Sequence, residues 1–100
     1  MVIKGKIMDI IDVTDKVAHI VIMHKKEEAY FPICFTAYQS IMILCRQINL
    51  EKGDVVKIDY YVKSKKYQDK YYTSAIIEKI CITQKKSNQL EVDYENEGYY

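Results

Sequence analysis

The chain has 100 residues, 49% of them apolar, with three glycines and one proline; this describes one globular domain and excludes a collagen-like or linker-rich protein. Lys or Asp interrupts each apolar stretch, so no membrane span is expected. The amphipathic opening MVIKGKIMDI lacks the apolar run of a signal peptide, which makes the cytoplasm (a host's, if the chain is viral) the expected location. The formal net charge of +1 hides an asymmetry: the first ninety residues hold all 15 basic and ten acidic residues, net +5, whereas the final ten, EVDYENEGYY, hold four acids and no base. A basic body joined to an acidic tail points to a nucleic-acid partner for the body and a separate role for the tail.

In chain order, residues 2–12 alternate as a strand, with Lys4 and Lys6 on one face and Ile3, Gly5 and Ile7 on the other. Gly5 predicts a bulge or a close backbone approach there. The polar stretch from Asp12 to Asp15 predicts a turn, in which Asp caps backbone N–H groups. Residues 17–24, β-branched and apolar, read as a second strand, and Lys25 to Glu28 as a charged turn. A third strand is predicted over 30–36, where Pro32 requires a bulge or an unpaired edge.

Residues 37–48 change character. Ala, Met, Leu, Gln and Arg favour helix, and Ile41, Leu44, Cys45 and Ile48 recur at helical spacing. Asn49 to Gly53 stops the helix. Residues 54–64 then alternate, with Val56, Ile58, Tyr60 and Val62 opposite Lys57, Asp59, Tyr61 and Lys63. Tyr60 is thus assigned to the core and Tyr61 to the outside. A last strand covers 71–82, and a tight turn at Gln68-Asp69 makes a hairpin of the fourth and fifth strands. The expected architecture is mostly all-β: a five-stranded Greek-key barrel of the oligonucleotide-binding (OB) type with one helix between strands 3 and 4. It occupies 1–83, followed by a flexible acidic tail over 84–100.

Chemistry of the catalytic kind finds no motif. There is no nucleophile elbow, no glycine-rich phosphate loop and no HExxH, so an enzyme is not expected. Cys34, Cys45 and Cys81 are odd in number and form no CxxC, which predicts reduced, partly buried thiols. His19 and His24, five apart on a strand, would point to opposite faces, so neither a metal site nor a cofactor is expected. The stretch KSKKYQDKYY is different: Lys63, Lys65, Lys66 and Lys70 crowd around Tyr67, Tyr71 and Tyr72. Single-stranded nucleic acid asks for this pairing, with cations that follow phosphates and rings on which unpaired bases stack. Tyr61 and Tyr30 are candidate additions to the surface. Two other readings stay open on these residues, an OB module that binds protein and an OB domain that binds RNA.

The segment from Tyr30 to Ile80 resembles the single-stranded-DNA-binding proteins of bacteria and their phages. The resemblance lies in YFPICFTAY at 30–38, EKGDVVKIDYYV at 51–62, KSKKYQD at 63–69 and YYTSAII at 71–77. It implies that Tyr67 and Tyr30 stand at base-stacking Trp positions, Tyr38 near a stacking Phe position, and Lys65 and Lys66 at the basic pair. It also implies a homo-oligomer, dimer or tetramer, and the short linker before the tail is similar to phage members. The tail resembles the acidic, aromatic-ended segments through which that class docks replication and repair proteins, which nominates Asp93, Glu95, Glu97, Tyr99 and Tyr100 as partner contacts.

Overall fold

A computed structural model describes residues 1–86; the tail residues Asp93, Glu95, Glu97, Tyr99 and Tyr100 lie outside the described residues. Apolar residues at every second position fold the chain into five strands, β1 (Val2–Asp12), β2 (Val17–Lys26), β3 (Ala29–Tyr38), β4 (Val55–Tyr67) and β5 (Lys70–Gln84), with one helix, α1 (Gln39–Gln47), between β3 and β4. The strands close in the order β1-β2-β3-β5-β4, every pairing antiparallel except β3 with β5, which is parallel. This is the five-stranded Greek-key barrel of the OB fold.

The inward positions of all five strands supply the core: Ile7, Ile20, Ile22, Phe35, Val56, Ile58, Ile77 and Ile80, with Ile41 and Met42 of α1 packed against them. Tyr60 joins them edge-on to Phe35, ring centroids 5.0 Å apart. Closure needs curvature, and three extra residues provide it. Met8 is unpaired in the β1–β2 ladder, and Glu78 and Thr83 in the β4–β5 ladder. Each such bulge bends its strand and shifts the inside–outside alternation by one. Hence Ile77 and Ile80, three apart, both point inward.

Gly5 serves the close approach that its position suggested, while the β1 bulge lies at Met8. A Cβ on Gly5 would lie 2.7 Å from the Met23 carbonyl oxygen and 2.8 Å from Ile22 Cδ1. Backbone cannot yield as a side chain can, so Gly5→Ala is expected to destabilise the barrel by about 1–3 kcal/mol. Urea unfolding checks this; a change below about 0.5 kcal/mol, the usual scatter of surface substitutions, would show that β1 shifts freely. Pro32 stands opposite Met23, and the β3 edge away from β2 is paired to β5 only at Thr36↔Ile76. The ring nitrogen is tolerated on that open edge.

Several boundaries move. β2 and β3 extend toward each other until only Glu27-Glu28 remains as the turn. The helix begins at Gln39 rather than 37, because Ala37 is buried as the last inward residue of β3. It ends in a left-handed Asn49 (φ 57°), whose N–H reaches the Arg46 carbonyl while that of Leu50 reaches Cys45. This closes the last turn as a Schellman motif. Cys34 and Cys81 are exposed rather than partly buried; only Cys45 is half-buried.

The loop after α1 is pinned from below. Asp54, wholly buried, accepts the Glu51 N–H (2.9 Å) and the Lys85 ammonium (2.9 Å) on Oδ2, and the Lys86 N–H (2.8 Å) on Oδ1. Burial pushes its pKa up, but the Lys85 side chain, the two backbone N–H groups and the charge on Lys85 outweigh it and hold the carboxyl below its ordinary value.

Candidate nucleic-acid interface

β4 and β5 run on past the barrel as a two-stranded arm, closed by the two-residue turn Gln68-Asp69 with Gln68 in the left-handed region (φ 58°). The pairing Tyr67↔Lys70 fixes the register of the arm, and residues opposite each other share a face. Its outer face carries Tyr61, Lys63, Lys65 and Tyr67 from β4, and Ser74, Tyr72 and Lys70 from β5. Its inner face, continuous with the core, carries Val62, Ser64 and Lys66 opposite Ala75, Thr73 and Tyr71. The ten-residue cluster read from sequence therefore divides. Tyr61, Lys63, Lys65, Tyr67, Lys70 and Tyr72 stand together, whereas Lys66 and Tyr71 look the other way.

All eight are exposed, Tyr67 at 60% and Tyr71 at 70%. An exposed ring in an ordinary strand usually packs on a neighbour; these project into solvent with lysines between them. The Lys66 ammonium sits 5.8 Å from the Tyr71 ring centroid, a cation–π distance that presents ring and charge as one unit. Ser64 and Thr73 join their hydroxyls at 3.0 Å across the inner face and stiffen the arm.

Tyr30 and Tyr38 lie on the outer face of β3, opposite Lys25 and Val17 of β2. Eight residues separate them, about 26 Å of strand, so they cannot belong to one contact point. Tyr30 sits near the β2–β3 turn with the Lys25 ammonium 5.6 Å from its ring centroid. Tyr38 opens α1 at the other end of the strand and makes no side-chain cap. Between them an outward-facing row crosses four adjacent strands, made of half-buried His19 and Thr36, buried Ile76 and exposed Tyr61. The exposed tyrosines thus mark a track along the outer wall, from Tyr38 past Tyr61 to Tyr67 on the arm.

Sequence reasoning missed Phe31, His24 and Lys25. Phe31 (exposed) meets His24 edge-on, centroids 5.8 Å apart, and His24 Nδ1 lies 3.1 Å from the Lys4 carbonyl. The signal was present in the charged stretch 25–28, which read as a turn although its first two residues extend a strand. At the far end of the barrel a cavity of about 360 Å³ opens against α1, lined by Ile10, Ile20, Met42, Cys45 and Leu50 with Arg46 at its rim. Burial pushes the Cys45 thiol up to about 11, more than Arg46 pulls it down; it stays protonated near neutral pH and is a weak nucleophile.

No family model matches this sequence, and no curated protein does. Solved structures match its shape. A mitochondrial single-stranded DNA binding protein from S. cerevisiae superposes with a TM-score of 0.64 at 15% identity, over 87% of this chain and 96% of that one. The single-stranded DNA binding protein of Plasmodium falciparum, in complex with single-stranded DNA, gives 0.53 at 19% identity, over 84% and 93%. A small single-stranded DNA binding protein from Mycoplasma pneumoniae gives 0.51 at 17% identity, over 92% and 96%. What is shared is the fold. At such identities the side chains must carry the functional argument themselves.

Proposed function

We propose that this protein binds single-stranded DNA with little sequence preference, as a binding protein and not an enzyme. The observation that carries the reading is the outer face of the β4–β5 arm, where lysines and tyrosines are interleaved on one side of one hairpin. Rings that stack any base and cations that follow any backbone give affinity without sequence readout. The names of the structurally similar proteins support the same reading. The protein acts in replication, recombination or repair, in the cytoplasm or a host's cytoplasm if it belongs to a phage. The acidic tail, with Asp93, Glu95, Glu97, Tyr99 and Tyr100, recruits protein partners. Exposed Met8, Ile11 and Val13 of the β1 region offer apolar surface for a homo-oligomer.

A fluorescence titration with oligo-dT, following quenching of the tyrosines, tests this. Lys57, Lys63, Lys65 and Lys70 face one way; if they neutralise four phosphates, log K falls with log salt at a slope of about −3. An affinity indifferent to salt would remove the electrostatic track, and absence of quenching would favour a protein-binding module. Oligo-U in parallel separates DNA from RNA, since a site reading the 2′-OH would prefer the latter.

A further inference from the structure

The cavity of about 360 Å³ against α1 takes no part in the interface described above. β5 runs parallel to β3, so the arm, at the start of β5, stands at the Tyr30 end of β3. The cavity, lined by Ala37, stands at the other end. Its floor is apolar, with Ile20, Ala37 and Met42 all buried. Cys45 and Leu50 form half-buried walls, and Asp12, Arg46 and Asn49 are exposed at the mouth. Among the described residues neither Asp12 nor Arg46 has an ion-pair partner. The chain leaves the barrel at this same end. Lys85 bonds to the Asn49 carbonyl at 2.7 Å and to Asp54 at 2.9 Å, and the Lys86 N–H bonds to Asp54 at 2.8 Å. The last described residue is thus fixed beside the cavity's rim. In the sequence that follows, the first apolar residue after Ile82 is Leu90, in the run Leu90-Glu91-Val92-Asp93.

We propose that residues 90–92 of this chain dock in the cavity against α1, with Leu90 and Val92 filling it and Glu91 pairing with Arg46 at its mouth. Four extended residues cover up to about 14 Å, enough to carry Leu90 from Lys86 over the Asn49–Leu50 rim. In an extended segment Leu90 and Val92 take the same side and Glu91 the other, which leaves its carboxylate at the mouth. Asp12 repels an acid there, so Arg46 is the place for Glu91. Two aliphatic side chains bind weakly between separate molecules, but a short tether supplies an effective concentration of about a millimolar. That favours the chain's own segment over a partner or a second copy. Docking also gives Asp93, Glu95 and Glu97 a fixed starting point at the α1 end of the barrel, away from the lysines of the arm. The inference is independent of what the arm binds.

Cys45 in the cavity wall reports on occupancy. Cys34 and Cys81 are exposed, and replacing both with Ser leaves Cys45 as the sole cysteine of the full chain. Its labelling by a small neutral thiol reagent is then followed at one pH. Leu90→Asp is expected to speed labelling at least about fivefold, since burying a leucine side chain shifts an equilibrium by about tenfold or more. Glu91→Gln should speed it less, and Asn96→Ala should leave it unchanged. Under mild oxidation Leu90→Cys is expected to form a disulfide with Cys45 that Asn96→Cys does not, because the bond needs Cα atoms within about 7 Å. Equal labelling of Leu90→Asp and its parent, or equal oxidation of the two new cysteines, would overturn the proposal. So would protection that grows with protein concentration, which would assign the cavity to a second copy. Oligo-dT should not change the labelling rate; release of Cys45 by oligo-dT would place the segment on the arm instead. Circular dichroism shows that each variant keeps the barrel.

Discussion

Asp54→Ala is expected to lower the unfolding free energy by about 2–4 kcal/mol. Its carboxylate is wholly buried and satisfies two backbone donors as well as the Lys85 ammonium, which reaches on to the Asn49 carbonyl at 2.7 Å. Removing it takes the acceptor from the part-buried bonds of the Glu51 and Lys86 N–H groups, and a donor left unpaired away from water costs about 1–3 kcal/mol. Lys85 is half-exposed and can return to water, so Lys85→Ala should cost less than Asp54→Ala. The pH dependence has a definite sign. The folded carboxyl lies below its ordinary value of 3.8, so its contribution is fully present above that pH and is lost as pH falls through the folded value. Urea melts at pH 7 and in acid check both statements. A loss below about 1 kcal/mol, smaller than one unpaired buried donor, would mean that the 49–54 loop holds itself without the latch.

The second large effect is on binding. Replacing Tyr61, Tyr67 and Tyr72 together with Ala should weaken oligo-dT binding by about 3 kcal/mol or more, since each stacked base contributes roughly 1–3 kcal/mol. Tyr67→Ala alone should cost about 1–3 kcal/mol by the same measure. These three rings share the outer face with the lysines but leave the charges in place, so the salt slope should stay the same while the intercept drops. That separation is the useful part. Were the rings only solubilised strand residues, the triple variant would bind within about twofold of the original, below the effect of a single stacked ring. Stability should change by less than about 1 kcal/mol, because none of the three is buried.

Much of this was legible from spacing. Alternation gave five strands, the helix and the hairpin, because a barrel strand must carry one wet and one dry side along its length. Tyr60 and Tyr61 fell on the faces that their neighbours assigned. Where legibility ended is equally physical. Val62 has the parity of a core residue, yet it is exposed, because periodicity reports which face a residue takes but not how far the barrel extends beneath it. The Glu78 bulge leaves no mark in composition and resets the alternation of β5. Asp54 read as the first residue of a strand after Lys-Gly; a lone Asp at a turn has the same sequence signature whether it is capped by water or buried under a lysine. The split of the lysine–tyrosine cluster, by contrast, was within reach. Once a two-residue turn is fixed at Gln68-Asp69, Tyr72 must share a side with Lys65, and Tyr71 with Lys66.

The two-residue turn at the tip also decides how the arm can change over evolutionary time. Adding or deleting one residue on each side of it moves the tip by about 3.3 Å and leaves every existing side chain on its present face. A single extra residue inside β4 would instead turn Tyr67 and its lysines to the opposite side. Growth at the tip in matched pairs thus changes the reach of the arm while keeping both its faces as they are, without any alteration to the core that carries it.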